Sequence, residues 1–246
     1  MWDSTLIIAL LLMGCVAGFL AGLLGIGGGM VVVPVVLWVL HHLAPTNMHS
    51  QQLALGTSFA VMSLTMLASM VAQYRRHNIR MDVLPKMAPA LIGGALLGAS
   101  VTRFLPSRGL QLFFIVFAYV MAVQALTNYK PKATRHLPDT AGMAGAGGAI
   151  GCIASWVGVG GGGMLVPFFL YCNVSIRQAI GTSTALGWCV AVTGTLGYVM
   201  TGWTVSGLPT GSVGFCYWPV AAVMALATVS LAPVGVRVGS GCHKMY

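Results

Sequence analysis

Two glycine-rich stretches carry the residue types in this sequence that could do chemistry, because each places several glycines inside a long apolar segment. The first is Gly25–Pro34, GIGGGMVVVP, and the second is Gly158–Pro167, GVGGGGMLVP. They align without a gap at an offset of 133 residues. Glycine has no Cβ, so consecutive glycines let backbone N–H groups converge on a ligand. The duplication predicts two half-sites of one binding site.

The chemistry predicted for these stretches is anion binding. A helix that starts after each glycine run presents its first amides and the positive end of its dipole toward the break. The predicted substrate-binding glycines are Gly27, Gly28, Gly29, Gly160, Gly161 and Gly162. The residues predicted to be structural at the breaks are Gly25, Pro34, Gly158 and Pro167. A proline near the start of a helix costs least there, since its missing N–H has no helical partner anyway.

A second motif, Ala-x-Gly-Thr-Ser, also occurs twice, at Ala54–Ser58 and at Ala179–Ser183. Its hydroxyl groups either bond back to their own helix or line a polar pathway, and their recurrence in both halves favours the pathway. The predicted pathway residues are Thr57, Ser58, Thr182 and Ser183. Other glycines recur every four residues, a spacing that is typical of close helix packing in membranes. These are Gly14, Gly18, Gly94 and Gly98.

The composition predicts an all-α, polytopic membrane protein whose main surroundings are a lipid bilayer. Hydrophobic residues make up 57% of the chain and charged residues 6%, far fewer charges than the roughly 25% of soluble domains. Several apolar segments approach the length of about 20 residues that crosses a bilayer. The net charge of +9 lies in short loops between apolar segments, so nucleic acid is not an expected partner. The start at Met1–Asp3 has no basic region, so we expect the first apolar segment to be retained.

Two membrane repeats are predicted, covering residues 1–130 and 131–246, with their boundary in the connector at residues 129–136. Each repeat contains one glycine-broken segment, expected to be a half-helix or a re-entrant piece because only 10 to 14 residues follow the break. The second repeat has no counterpart of the apolar segment at residues 110–128.

The distribution of Lys and Arg distinguishes two arrangements of these repeats. If each broken segment crosses the membrane once, the repeats are parallel and the positive residues divide seven to five. If each starts and ends on the same side, the repeats are inverted and the division is ten to two. We therefore predict two inverted repeats, with the N-terminus outside.

Ionisable groups are too scarce to predict an enzyme, a metal site or a cofactor. The only acids are Asp3, Asp82 and Asp139, all at loops or segment edges. No nucleophile–base cluster is apparent within the segments. Three glutamines at segment entrances could touch a polar substrate, but solvation of the helix ends is the favoured interpretation. They are Gln51, Gln52 and Gln178.

The paired Gly-x-Gly-Gly-Gly…Pro segments, each followed by Ala-x-Gly-Thr-Ser, resemble the sulfite exporter TauE/SafE family of bacterial permeases. The resemblance covers nearly the whole chain and implies transport of small sulfur-containing anions, such as sulfite or sulfonates, across the bacterial cytoplasmic (inner) membrane. Members usually carry a further terminal span. Pairing of two copies into a homo-oligomer is one way in which this chain could complete its fold.

The predicted function is a secondary transporter or facilitator of such anions, working as an exporter. The alternatives are an importer or a channel for another small anion or sulfur compound. A membrane-embedded enzyme or assembly factor is a further alternative with less support.

Overall fold

The protein is a bundle of helices in the computed structural model, which describes residues 4–25, 27–43, 49–127 and 137–242. Within these ranges the helices are α1 Ser4–Leu24, α2 Gly29–Leu43, α3 Ser50–Tyr74, α4 Leu84–Val101, α5 Ser107–Leu126, α6 Thr140–Val157, α7 Gly162–Tyr171, α8 Ile176–Gly202 and α9 Trp218–Cys242. A 3-10 turn at Thr102–Phe104 follows α4, and a small antiparallel hairpin of β1 Ser212–Val213 and β2 Cys216–Tyr217 precedes α9.

Seven of the described helices are long and apolar enough to cross a bilayer, and α2 and α7 are the two shorter apolar ones. The core lies around α3 and α8, which are the most deeply buried of the long helices. The predicted all-α polytopic membrane fold is confirmed.

Small residues set the spacing between two helix pairs, α1 with α9 and α4 with α6. A Cβ on Gly18 would collide with the carbonyl oxygen of Thr228, and one on Gly94 with that of Gly148. Backbones this close exclude any side chain between them, which is the reason membrane helices use glycine here. The predicted packing role is confirmed for Gly14, Gly18, Gly94 and Gly98.

The two central helices, α3 and α8, run in opposite directions. Glycines further along α8 contact residues that come earlier in the α3 region. Gly181 lies against Asn78, in the turn after α3, Gly187 against Met66, and Gly194 against Phe59. We call the end of the bundle where α3 begins and α8 finishes end A, and the opposite end, where α3 finishes and α8 begins, end B.

The first broken segment begins and ends at end A. Hydrogen bonds from Tyr217 to Thr57 and between Thr65 and Thr228 show that α9 runs parallel to α3, and α1 runs parallel to α9. After the break, α2 turns back along α1. Gly28 lies against Ala17, whereas Pro34, Val35 and Trp38 share an apolar cleft with Ala9, Leu10 and Met13.

The second broken segment begins and ends at end B. Helix α4 follows α3 and so starts at end B, and α6 runs parallel to it, with Gly147 against Met87 and Cys152 against Gly98. Helix α7 then ends at Tyr171, shortly before α8 starts at the same end. Because α1 and α6 point in opposite directions, the predicted inversion of the repeats is confirmed. The predicted boundary at residues 129–136 lies outside the described residues, so the division into 1–130 and 131–246 stays a prediction.

Positive charge is concentrated at end B. In the described part of the chain, end A carries two basic residues, Arg103 and Arg108. End B carries six, which are Arg75, Arg76, Arg80, Lys86, Arg177 and Arg237.

The prolines differ from the prediction. Pro34 was expected near the start of its helix, where a missing N–H costs little, but it is the sixth residue of α2. Pro167 is likewise the sixth residue of α7. At that position the N–H would normally bond the carbonyl four residues earlier. Each proline therefore removes one hydrogen bond from a helix that is already short.

Adjacent glycines of α4 provide a test of this packing. We expect Gly94→Ala to destabilise the protein by about 1–3 kcal/mol, the usual cost of overpacking, since its new methyl group meets the carbonyl of Gly148. Gly93 has open space around it, so Gly93→Ala should be neutral or slightly stabilising. The loss of soluble protein after heating in detergent measures the stability of both variants. Equal stability of the two variants would contradict the packing described.

Candidate functional site

Each helix break is made by glycines in the left-handed region of backbone conformation. The φ angles are +68° at Gly25, +85° at Gly27 and +76° at Gly28 in the first break, and +70° at Gly158 and +72° at Gly161 in the second. Other L-residues adopt this region only with strain. The described residues of both breaks are buried, so their polar backbone groups lie within protein and away from lipid.

The two breaks touch one another at the centre of the bundle. A Cβ on Gly29 would collide with the carbonyl oxygen of Gly158 and would lie 3.0 Å from the Cα of Val159. The hydroxyl of Ser58, from the middle of α3, donates a hydrogen bond of 3.1 Å to the same Gly158 carbonyl. The second half-site therefore lies directly against the start of α2.

Two methionines of α3 fill the remaining space between the breaks. The thioether of Met66 contacts Gly27, Gly160 and Gly187, with its Cε 2.5 to 2.8 Å from a Cβ placed on these glycines. Met62 has its Sδ close to Gly27 and Gly29. Met66 is 1% exposed and Met62 is fully buried. A flexible, unbranched side chain is suited to filling an irregular gap of this kind.

The electrostatics of this centre favour negative charge. Helices α2 and α7 both start here, so the positive ends of two helix dipoles meet. Helix α7 starts at Gly162 with no side-chain cap on its first turn. The N–H groups of Met164 and Leu165 bond the Gly161 carbonyl, and the Gly161 N–H bonds the Val159 carbonyl. The amides that lack an acceptor within the helix are therefore those of Gly162 and Gly163. The arrangement can bind a small anion through backbone N–H groups.

The threonines of the repeated Gly-Thr-Ser motif hold loops in place. The Thr57 hydroxyl accepts a 2.9 Å hydrogen bond from the backbone N–H of Tyr217, and Thr182 accepts one of 3.0 Å from Arg80. The preceding glycines of the motif, Gly56 and Gly181, let the same two loops approach closely. The two interactions are equivalent in the two repeats, so both hydroxyl groups hold loops, and a substrate role for Thr57 and Thr182 stays a prediction.

The serines of the motif have different surroundings in the two repeats. Ser58 reaches the second break, as described above, whereas Ser183 bonds back to the carbonyl of Ile180 at 2.9 Å. It is Ile180 and Thr184 that lie against Gly25 at the first break. The structure thus places Ser58 directly at the breaks, and places Thr57, Thr182 and Ser183 within one turn of residues that contact them.

One face of α3 carries polar residues that sequence reasoning undervalued. Gln51 is 2% exposed and Ser69 is 1% exposed, and neither side chain has a hydrogen-bond partner among the described residues. They share a helix face with Ser58, Met62 and Met66, on either side of the breaks. The signal available in the sequence was the spacing of Gln51, Ser58, Ser69 and Gln73 by 7, 11 and 4 residues, which places them on one helical face.

The other two entrance glutamines are placed apart from the breaks. Gln52 donates to the carbonyl of Leu105 and accepts from Ser107, so it anchors the start of α5. Gln178 is exposed at end B, in agreement with solvation of a helix end.

The two ends of the bundle are closed to different extents. At end A, Phe59 stacks on Tyr198 with ring centroids 5.8 Å apart, and the Tyr198 hydroxyl bonds the carbonyl of Ser155. Phe215 and Leu55 are buried beside them, at 1% and 0% exposed. At end B, the offset of 125 residues gives Thr184, Gln73 and Ile180 as the counterparts of Phe59, Tyr198 and Leu55. Asn78 lies against Gly181 as Phe215 lies against Gly56.

A narrow cleft at end B opens toward the first break. It has room for about one water molecule, with a volume of about 10 Å³, and its lining includes Gln73, Asn78, Arg177 and Ile180. Ile180 is half-buried and contacts Gly25 at the first break. Its counterpart at end A, Leu55, contacts Gly158 but is fully buried. Solvent therefore comes closer to the breaks from end B than from end A.

Similar proteins carry transporter names. A "Probable membrane transporter protein" of Haemophilus influenzae is 32% identical over 92% of this chain and 85% of its own length. "Probable membrane transporter protein YdhB" of Bacillus subtilis is 28% identical over 80% of this chain and 79% of its own. "Probable membrane transporter protein MJ0441" of Methanocaldococcus jannaschii is 22% identical over 93% and 85%. No solved structure matches this chain.

The resemblance carried by the duplicated glycine motif is confirmed over the length of the chain. The sequence profile described as Sulfite exporter TauE/SafE matches residues 10–244, which include both breaks and both Gly-Thr-Ser motifs. The chain is a helical membrane protein of two inverted repeats, and its relatives are named as probable membrane transporters. With this match, the chain belongs to the sulfite exporter TauE/SafE family.

Proposed function

We propose that this protein is a secondary transporter that exports small sulfur-containing anions, and that the two glycine breaks form its substrate site. The observation that carries the proposal is the contact between Gly29 and Gly158, which brings two half-helix starts together inside the bundle. Two inverted half-helices meeting near the membrane midplane are typical of secondary transporters.

The sign of the substrate follows from the polar groups at the breaks. Two helix starts offer N–H donors and partial positive charge, and the acids in the described ranges, Asp82 and Asp139, lie outside the helices. The predicted amide donors are those of Gly27–Gly29 and Gly160–Gly162. Ser58 is the hydroxyl best placed to donate to the anion, because it can transfer its hydrogen bond from the Gly158 carbonyl to the anion. Sulfite is the first candidate substrate, in line with the family's description, and the sulfonates taurine and sulfoacetate are the compounds to compare with it.

The proposed path follows the polar face of α3. Gln51 and Ser69 would each give a passing anion a hydrogen-bond donor, since neither has another partner among the described residues. Between them, the Met66 thioether occupies the space between the breaks and must move before an anion can bind. A site that is closed by a side chain favours a carrier over an open channel. A carrier shows saturable flux and competition between substrates, and a channel shows neither.

The proposed direction of transport rests on the basic residues at end B and on the cleft at the same end. Basic residues mark the cytoplasmic side of membrane proteins, so end B, with six of the eight described basic residues, is assigned to the cytoplasm. The end B cleft, which has room for about one water molecule in this conformation, would widen to receive anions from inside the cell. An inside-negative potential favours anion exit by about 2.3 kcal/mol per charge per 100 mV, so export needs no coupled ion.

A small substitution at the second break tests the site. The φ angle of Gly160 is not positive. The nearest atoms to a methyl group there would be the flexible end of Met66, at 2.8 Å, and the carbonyl oxygen of Gly187, at 3.4 Å. We expect Gly160→Ala to fold and to reduce the uptake of labelled sulfite into inside-out vesicles by about tenfold, equivalent to ~1.4 kcal/mol.

The matched control is Gly145→Ala in α6, where the added methyl group has open space around it. Its flux should equal that of the unmodified protein. Full sulfite flux in Gly160→Ala, at equal amounts of protein in the membrane, would rule out the breaks as the substrate site.

The orientation and the pathway are tested by a pair of equivalent positions. In a background without native cysteines, we expect a membrane-impermeant thiol reagent to label Ile180→Cys from the cytoplasmic side and Leu55→Cys from neither side. The reason is that Ile180 lines the end B cleft, whereas Leu55 is fully buried. Bound sulfite should slow the labelling of Ile180→Cys. Labelling of Ile180→Cys from outside the cell would overturn the proposed orientation.

A further inference from the structure

A second basic cleft lies at end B, away from the glycine breaks, between α3 and α9. Three arginines stand at its rim, Arg75 and Arg76 just after α3 and Arg237 in the last part of α9. The cleft has a volume of about 270 Å³. It is therefore the kind of space that could hold a bound molecule.

Within the described residues, no acidic group compensates the charge at this rim. Among the described residues none of the three guanidinium groups has a carboxylate partner. The one described acid near the α3–α4 turn, Asp82, is paired with Arg80, whose Nε lies 3.1 Å from the Asp82 Oδ1. That pairing lowers the pKa of Asp82 below its ordinary value, so the carboxylate stays ionised and bound to Arg80. The C-terminus of α3 contributes only about half a negative charge, which is too little to balance three cations.

Below the arginines, the wall of the cleft is apolar. Val71 and Ala72 lie one helical turn deeper along α3, Ala68 lies another turn down, and Pro233 faces them from α9. From residue 75 to residue 68 the wall extends about 10 Å at 1.5 Å per residue. Val71 remains 42% exposed. A charged rim above an exposed apolar wall matches a molecule with an anionic head and a hydrocarbon tail.

We propose that this cleft binds an anionic phospholipid, whose phosphate contacts Arg75, Arg76 and Arg237 and whose acyl chain lies along Val71, Ala72 and Pro233. Basic clefts between membrane helices at the cytoplasmic surface are suited to such headgroups. Because the lipid would contact both α3 and α9, it would stabilise the helix pair that also shares the Thr65–Thr228 hydrogen bond. A free phosphate could use only the rim.

The test compares lipids on the purified, delipidated full-length protein by native mass spectrometry and by thermal unfolding. Phosphatidylglycerol should bind and raise the unfolding temperature, and phosphatidylcholine with the same acyl chains should do neither. The triple variant Arg75→Gln, Arg76→Gln, Arg237→Gln should lose at least about tenfold in phosphatidylglycerol affinity, ~1.4 kcal/mol. The matched control, Arg103→Gln with Arg108→Gln at end A, should keep it.

A second variant separates a lipid from a free anion. Val71→Trp places a bulky side chain against the apolar wall and leaves the three charges intact, so it should weaken phosphatidylglycerol binding. Inorganic phosphate at millimolar concentration should not displace the lipid. Equal binding of the two lipids, undiminished phosphatidylglycerol binding in the triple variant or in Val71→Trp, or displacement by phosphate would each overturn the proposal.

Discussion

The structure depends on one constraint, which is that backbone groups exposed by a break in a membrane helix cannot be left facing lipid. Each such group would cost several kcal/mol. Here the breaks are buried against each other, and Ser58 bonds the Gly158 carbonyl that the second break leaves free. Placing two breaks in contact requires α3 and α8 at the centre of the bundle. It also requires short α2 and α7 that turn back to the end where their segments began.

The inverted repeats meet this constraint with matched interactions, and the departures from symmetry carry the functional information. Thr57 and Thr182 fix equivalent loops, and Leu55 and Ile180 contact equivalent glycines. At end A the surrounding positions hold Phe59, Tyr198 and other large side chains. At end B the same positions hold smaller or polar ones. The two ends of the bundle are therefore packed differently, although the two halves of the protein are equivalent.

Most of the architecture could be predicted from the sequence because the two glycine stretches align without a gap and the charges are few. The two glycine runs located the breaks, and the Lys and Arg distribution predicted the inversion. The roles of Thr57 and Thr182 could not be predicted, since their partners lie 160 and 102 residues away in the chain. In the sequence, Met66 is one apolar residue among many in a helix, and only the tertiary structure shows that it lies between the two breaks. Gln51 resembled a solvated helix end, and only the tertiary structure shows that it is buried.

The central claim is that an anion binds between the two breaks, and crystallography with selenite, the selenium analogue of sulfite, tests it most directly. Anomalous scattering locates selenium without ambiguity. The account predicts a single strong peak within hydrogen-bond distance of the amides of Gly29 and Gly162, with the Met66 side chain moved from its position between the breaks. Selenium bound only elsewhere, with Met66 unmoved between empty breaks, would contradict it.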